Sequence, residues 1–120
     1  MTMLSNLLIG LVVFLHLGFL VLEMFFWNKP LGRRVFALSP ELAAGSAPLA
    51  ANQGLYNGFL AAGLIWSLFG GDQAFSLKVF FLICVIVAGV FGGLTAKKSI
   101  LFIQALPGAL ALAATWMAHQ

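Results

Sequence analysis

The chain has 120 residues, 62% hydrophobic and 8% charged, where soluble domains carry about 25% charged residues. With a mean hydropathy of +1.09, too little polar surface remains to cover a water-soluble core, so a soluble globule is excluded and the lipid bilayer becomes the first expected partner. The net charge of +3 comes with no basic face interleaved with aromatics, so no nucleic acid partner is expected.

Four apolar stretches follow in chain order, residues 4–27, 50–69, 76–96 and 99–118, each near the roughly 20 residues that a helix needs to cross hydrocarbon. The expected fold is all-α, a four-helix transmembrane bundle forming one integral membrane domain over residues 1–120. The first stretch has no basic leading region and too long an apolar run for a cleaved signal peptide, so it is expected to stay as a helix. Residues 28–49 then form a loop holding three of the four prolines and three of the six basic groups. Within it Ser39-Pro40-Glu41 reads as an N-cap, a first-turn proline and a first-turn acid, which predicts a short surface helix. A tight Gly70-Gly71-Asp72 turn joins the second and third helices, and Lys97-Lys98 joins the third and fourth. Trp27, Trp66 and Trp116 sit near the proposed ends, where indole rings prefer the headgroup level. Cys84, the single cysteine, offers no intrachain disulfide and reads as a packing residue.

With four spans, Lys29, Arg33, Arg34, Lys97 and Lys98 fall on one side, and Lys78 on the other. The positive-inside tendency then puts the 28–49 loop in the cytoplasm and both termini on the non-cytoplasmic side.

The segment AANQGLYNGFLAAG carries unusually many polar groups for a membrane helix. Asn52 with Tyr56, and Gln53 with Asn57, are i,i+4 pairs and predict one contiguous polar face. Gly54, Gly58 and Ala62 predict an adjoining face of small residues that lets another helix approach closely. In the first helix, His16 and Glu23 are seven residues apart and return to nearly one face two turns apart. Glu23, Asn52, Gln53, Tyr56, Asn57 and Gln104 all lie within roughly 10 to 12 Å of the proposed cytoplasmic helix ends at 1.5 Å per residue, with His16 deeper. Together they predict a polar pocket entered from the cytoplasmic side. Each also has a plainer reading. Asn, Gln and Tyr in membrane helices bond to neighbouring helices, a lone His packs, and Glu23 can pair with Lys29, Arg33 or Arg34 by snorkelling. Gly89, Gly92, Gly93 and Pro107-Gly108 read as close packing and a kink.

The stretches HLGFLVLEMFFW, GRRVFALSPE, LAANQGLYNGFLAAGLIW, FFLICVIVAGVFGG and ILFIQALPGALAL resemble a family of small bacterial membrane proteins known only as a domain of unknown function. The resemblance covers nearly the whole chain. It implies a four-helix integral protein of the bacterial inner membrane, and it implies no activity and no catalytic residues.

Three functions compete on these residues. The first is a site for a lipophilic small molecule, either a binder or an isomerase in which Glu23 and His16 act as proton donor and acceptor. Asn52, Gln53, Tyr56, Asn57 and Gln104 would line it and orient the ligand. The second is proton-coupled export, as in the small four-helix multidrug transporters with a first-helix Glu. Their motifs are absent, and five basic residues against one do not fit dual insertion. The third is an assembly subunit whose polar face binds a partner helix, which leaves room for a homo-oligomer. No cofactor is expected, since there is no glycine-rich phosphate loop. No metal is expected either, because His16 and His119 differ too much in depth to share one.

Overall fold

The computed structural model describes residues 1–120 and is all α-helical. Five helices follow one another: α1 (Thr2–Phe25), α2 (Pro30–Val35), α3 (Pro40–Leu68), α4 (Ala74–Thr95) and α5 (Leu106–His119). A 3-10 turn, Gly71–Gln73, leads into α4, and a π-helical turn, Leu101–Ala105, leads into α5. Three segments are long and apolar enough to cross a membrane, Thr2–Phe25, Gly71–Thr95 and Leu101–His119. This is a multi-pass membrane protein. Although α3 is the longest helix at 29 residues, it is not among those three, because Asn52, Gln53 and Asn57 dilute its apolar character.

The largest correction to the sequence reading lies between residues 26 and 50. The expected surface helix at Pro40 and the expected span from residue 50 are a single helix, Pro40–Leu68. Its start matches expectation, with the Ser39 hydroxyl accepting from the Leu42 N–H at 3.1 Å as an N-cap should. Pro48 stands inside that helix, where it removes one intrahelical rung. The exposed side of α3 carries this proline, while Ala43 and Ala50 are buried on the other. Tertiary packing therefore holds the helix through a residue that marks a boundary in sequence alone. The loop also contains the unpredicted α2, with Pro30 at its start and Arg33 and Arg34 in its last turn, where cations suit the helix dipole. α2 ends in a Schellman turn: Ala37 takes φ 53 and the Leu38 N–H donates to the Arg33 carbonyl at 2.9 Å.

The chain forms two compact units, residues 1–15 with 60–120, and residues 16–59. The first is built on an apolar core of Ile9, Val12, Val13, Ala61, Leu64, Leu82, Val85 and Ala111. Buried hydroxyls inside it pair with each other, Ser5 Oγ to Thr115 Oγ1 at 2.7 Å, so neither is left without a partner in an apolar surround. Lys78 donates to the Asn6 side-chain oxygen at 2.9 Å. The expected glycine packing is present: a Cβ on Gly89 would lie 2.5 Å from the Ala105 nitrogen, so α4 meets the backbone of the π-helical turn at that point. The His119 ring stacks on Phe75 with centroids 3.7 Å apart, and no group of metal-ligating side chains is gathered anywhere in the chain.

The second unit consists of the C-terminal part of α1, the whole of α2 and the N-terminal part of α3. A close contact between α1 and α3 organises it. A Cβ on Gly54 would lie 2.7 Å from Met24 Cγ and 3.1 Å from Glu23 Cβ, and one on Gly58 would lie 2.7 Å from Leu20 Cδ1. At its other end, the Trp27 indole N–H donates to Ser46 Oγ at 3.0 Å, and that hydroxyl donates to the Leu42 carbonyl at 2.6 Å. Phe36 packs on the Trp27 ring with centroids 4.8 Å apart.

Candidate functional site

The small-residue stripe on α3 decides which of its polar side chains turn inward. Asn57 lies on the same face as Gly54 and Gly58 and is 6% exposed, while Asn52, Gln53 and Tyr56 are exposed. The predicted contiguous polar face is thus divided. Gln53 and Asn57 are adjacent along the helix, yet only Asn57 faces α1. Tyr56 is 50% exposed and its ring neighbours Phe59 on the outer surface. The stripe itself also needs correction, because Ala61 is fully buried whereas Ala62 is exposed. Spacing of four drifts by about 40° per step around a helix of 3.6 residues per turn, so the third member of the stripe shifts back by one.

Where the helices meet, Asn57 Nδ2 donates to Glu23 Oε1 at 2.5 Å. Glycines at 54 and 58 allow this, since they let the helices come close enough for a short amide to reach a carboxylate. The snorkelled ion pair considered for Glu23 is not what forms. Arg33 instead donates from Nη1 to the Asn28 carbonyl at 3.1 Å and to Asn28 Oδ1 at 3.4 Å, and Arg34 is exposed. Glu23 is therefore a half-buried carboxylate oriented by a neutral amide.

Beside it is a recess of about 270 Å³ lined by Glu23, Met24, Phe25, Trp27, Asn28, Lys29 and Ala47. Its lining includes an acid, Glu23, and a base, Lys29, and the volume falls just short of the roughly 300 to 1,000 Å³ of sites that enclose a whole drug-sized ligand. A larger recess of about 440 Å³ lies in the other unit, among Ile86, Ala109, Leu112, Ala113, Trp116 and Met117. It has no chemistry-bearing side chain, so the smaller one is the candidate site.

His16 is on the same side of α1 as Glu23, as its spacing predicts, but it is only 1% exposed and does not line the recess. It meets Phe19 edge to face, with ring centroids 5.8 Å apart. Gln104 is 9% exposed and belongs to the other unit, within the π-helical turn. Of the seven residues expected to make the site, the structure thus joins Glu23 and Asn57. Sequence reasoning took Lys29 as a topology marker and a candidate ion-pair partner of Glu23, and Trp27 as an interfacial anchor, but neither as lining a site. Their place at the end of α1, within two turns of Glu23, was the available signal that they share its surroundings.

The α1–α3 contact gives a direct test. Gly54→Leu is expected to destabilise the protein by about 1 to 3 kcal/mol through overpacking, since a Cβ there already lies 3.1 Å from Glu23 Cβ and 3.3 Å from the Leu20 carbonyl oxygen, which cannot rotate away. An unfolding midpoint in detergent equal to that of the unmodified protein would show that the helices separate freely there.

Comparison with known proteins agrees with the family expected from the sequence. Residues 10–116 match the family described as "Protein of unknown function (DUF1304)". The chain is 33% identical over 116 residues to the uncharacterized protein YpaA of Lactococcus lactis subsp. lactis (strain IL1403), covering 95% of each chain. No solved structure matches. The match spans almost the full length, and the chain is a member of the DUF1304 family.

Proposed function

We propose that this is an inner-membrane protein that binds the polar end of a membrane-soluble molecule in the recess beside Glu23. The observation that carries the reading is Glu23 itself, a half-buried acid that lines the recess and accepts a hydrogen bond from Asn57. A carboxylate inside a membrane helix is costly and is retained where it pairs or functions. Here its partner is a neutral amide, which accepts no charge and leaves the second carboxylate oxygen available to a ligand donor. Binding fits this geometry better than isomerisation, because His16, the residue expected to act with Glu23 in a proton transfer, does not line the recess.

In this reading α3 crosses the membrane as a fourth span. Lys29, Arg33, Arg34, Lys97 and Lys98 are cytoplasmic and both termini are not. A reporter fused at Gln120 tests this arrangement: one that works only outside the cytoplasm is expected to be active, and strong activity of a cytoplasm-only reporter would overturn it.

The binding reading is tested by native mass spectrometry of protein extracted with its own lipids. A bound molecule is expected on the wild type and absent from Glu23→Gln, which keeps the side-chain shape and an acceptor for Asn57. Equal retention by both proteins would remove Glu23 from the site.

A further inference from the structure

The two charged side chains of the recess stand in a definite order along the chain. Glu23 is half-buried in α1, and Lys29 follows six residues later, exposed at the entrance to α2. Both line one small recess, the acid half-buried and the base exposed, so a group bound there has one charge of each sign beside it. A ligand complementary to both carries an ammonium and an anion and is small enough for both to enter one recess of about 270 Å³.

Three further features say where such a group comes from. Trp27 forms part of the lining and lies two residues past the end of a candidate membrane span, Thr2–Phe25, the position where tryptophan favours headgroup level. Met24 and Phe25 extend the wall with apolar surface, and Phe25 is 62% exposed, offering a path for an acyl chain outside the recess. The volume of about 270 Å³ suits a headgroup and not a whole lipid.

We propose that the recess binds the phosphoethanolamine headgroup of a membrane phospholipid, its ammonium on Glu23 and its phosphate on Lys29. This rests on the reading that the recess is a binding site, and it names the class of molecule held there. Primary ammonium is favoured over quaternary, because Asn57 occupies one carboxylate oxygen and the other has lone pairs for N–H donors. A trimethylammonium group has none to give. A purely anionic headgroup would satisfy Lys29 and leave Glu23 facing negative charge.

The test is lipid retention by the full chain in nanodiscs containing equal parts phosphatidylethanolamine, phosphatidylcholine and phosphatidylglycerol, read by native mass spectrometry. Wild type is expected to retain phosphatidylethanolamine over the other two. Glu23→Gln should weaken that preference on the order of tenfold, the loss of one charge-assisted hydrogen bond, while Lys29→Gln should lower retention of all three lipids by a similar factor, since each carries the phosphate. Lys29 is exposed, so its variant keeps the fold and the readout stays interpretable if Glu23→Gln is unstable. Equal retention of phosphatidylethanolamine and phosphatidylcholine, or preference for phosphatidylglycerol, would overturn the assignment. If native extracts still show a molecule lost on Glu23→Gln, the recess binds but the headgroup is another; if they do not, the binding reading falls as well. Soluble phosphoethanolamine is added as a competitor, and full displacement of the lipid at equimolar concentration would show that a free metabolite, not a lipid, is the ligand.

Discussion

Gly89→Leu is expected to be among the most destabilising single substitutions in this chain. Even an alanine Cβ there would lie 2.5 Å from the Ala105 nitrogen, 2.8 Å from its Cα and 2.9 Å from its Cβ. The first two are backbone atoms of a helical turn and cannot rotate away, so α4 and the π-helical turn must separate. Overpacking of this kind costs about 1 to 3 kcal/mol; Gly89→Ala should fall in that range and Gly89→Leu at or above its top. Gly10→Ala is the control, since a Cβ at Gly10 meets nothing within 4 Å and alanine is the better helix former by about 1 kcal/mol. Unfolding in detergent should order the three proteins as Gly10→Ala, then Gly89→Ala, then Gly89→Leu. Equal midpoints for all three would mean that α4 does not press on the turn.

That contact also shows where the sequence was informative. Gly89 and its neighbours announce close packing, because a glycine gains little in a membrane helix except room. The geometry of their partner is not announced. Leu101–Ala105 is read from sequence as the start of an ordinary helix, and a π-helical turn differs from it by one hydrogen-bond register. Pro107 hints at the irregularity, since it has no N–H to donate back into the preceding turn. Where the distortion falls is settled by the fit of Ala105 against Gly89, and such tertiary fit leaves no local mark.

The same distinction runs through the candidate site. Composition and hydropathy are enough for an all-α multi-pass membrane protein, because lipid leaves helices as the economical way to satisfy the backbone. They do not separate a fourth crossing from a long half-polar helix, and α3 combines a polar first half with an apolar second. Asn52, Gln53, Tyr56 and Asn57 are neighbours on a helix surface by spacing alone, but spacing does not give the direction that surface faces. The direction was present in another signal. Gly54 and Gly58 mark the face that meets α1, and Asn57 is the polar residue set between them. Asn57, about 60° around the helix from Gly54, is buried by that contact, whereas Gln53, about 40° further round, is exposed.

The Glu23–Asn57 bond should be worth more to stability than any other single side-chain pair in residues 16–59, since it joins a half-buried carboxylate to a buried amide. Hydrogen bonds to charged groups contribute about 1.5 to 3 kcal/mol, and removing one partner leaves the other to bear its desolvation cost. Asn57→Ala is expected to lose about that much, with the carboxylate still in place and its donor gone. Glu23→Gln keeps an acceptor for the same amide and should cost less than Glu23→Ala. The informative protein is the double variant Glu23→Ala with Asn57→Ala. If the bond is what couples the two helices, the double variant loses less than the two single losses added together, because each single change already forfeits the interaction. Unfolding free energies of the four proteins in one detergent give that coupling directly. Losses that add to within about 0.5 kcal/mol would show that Glu23 and Asn57 act independently, and the carboxylate would then have to be explained by its ligand alone.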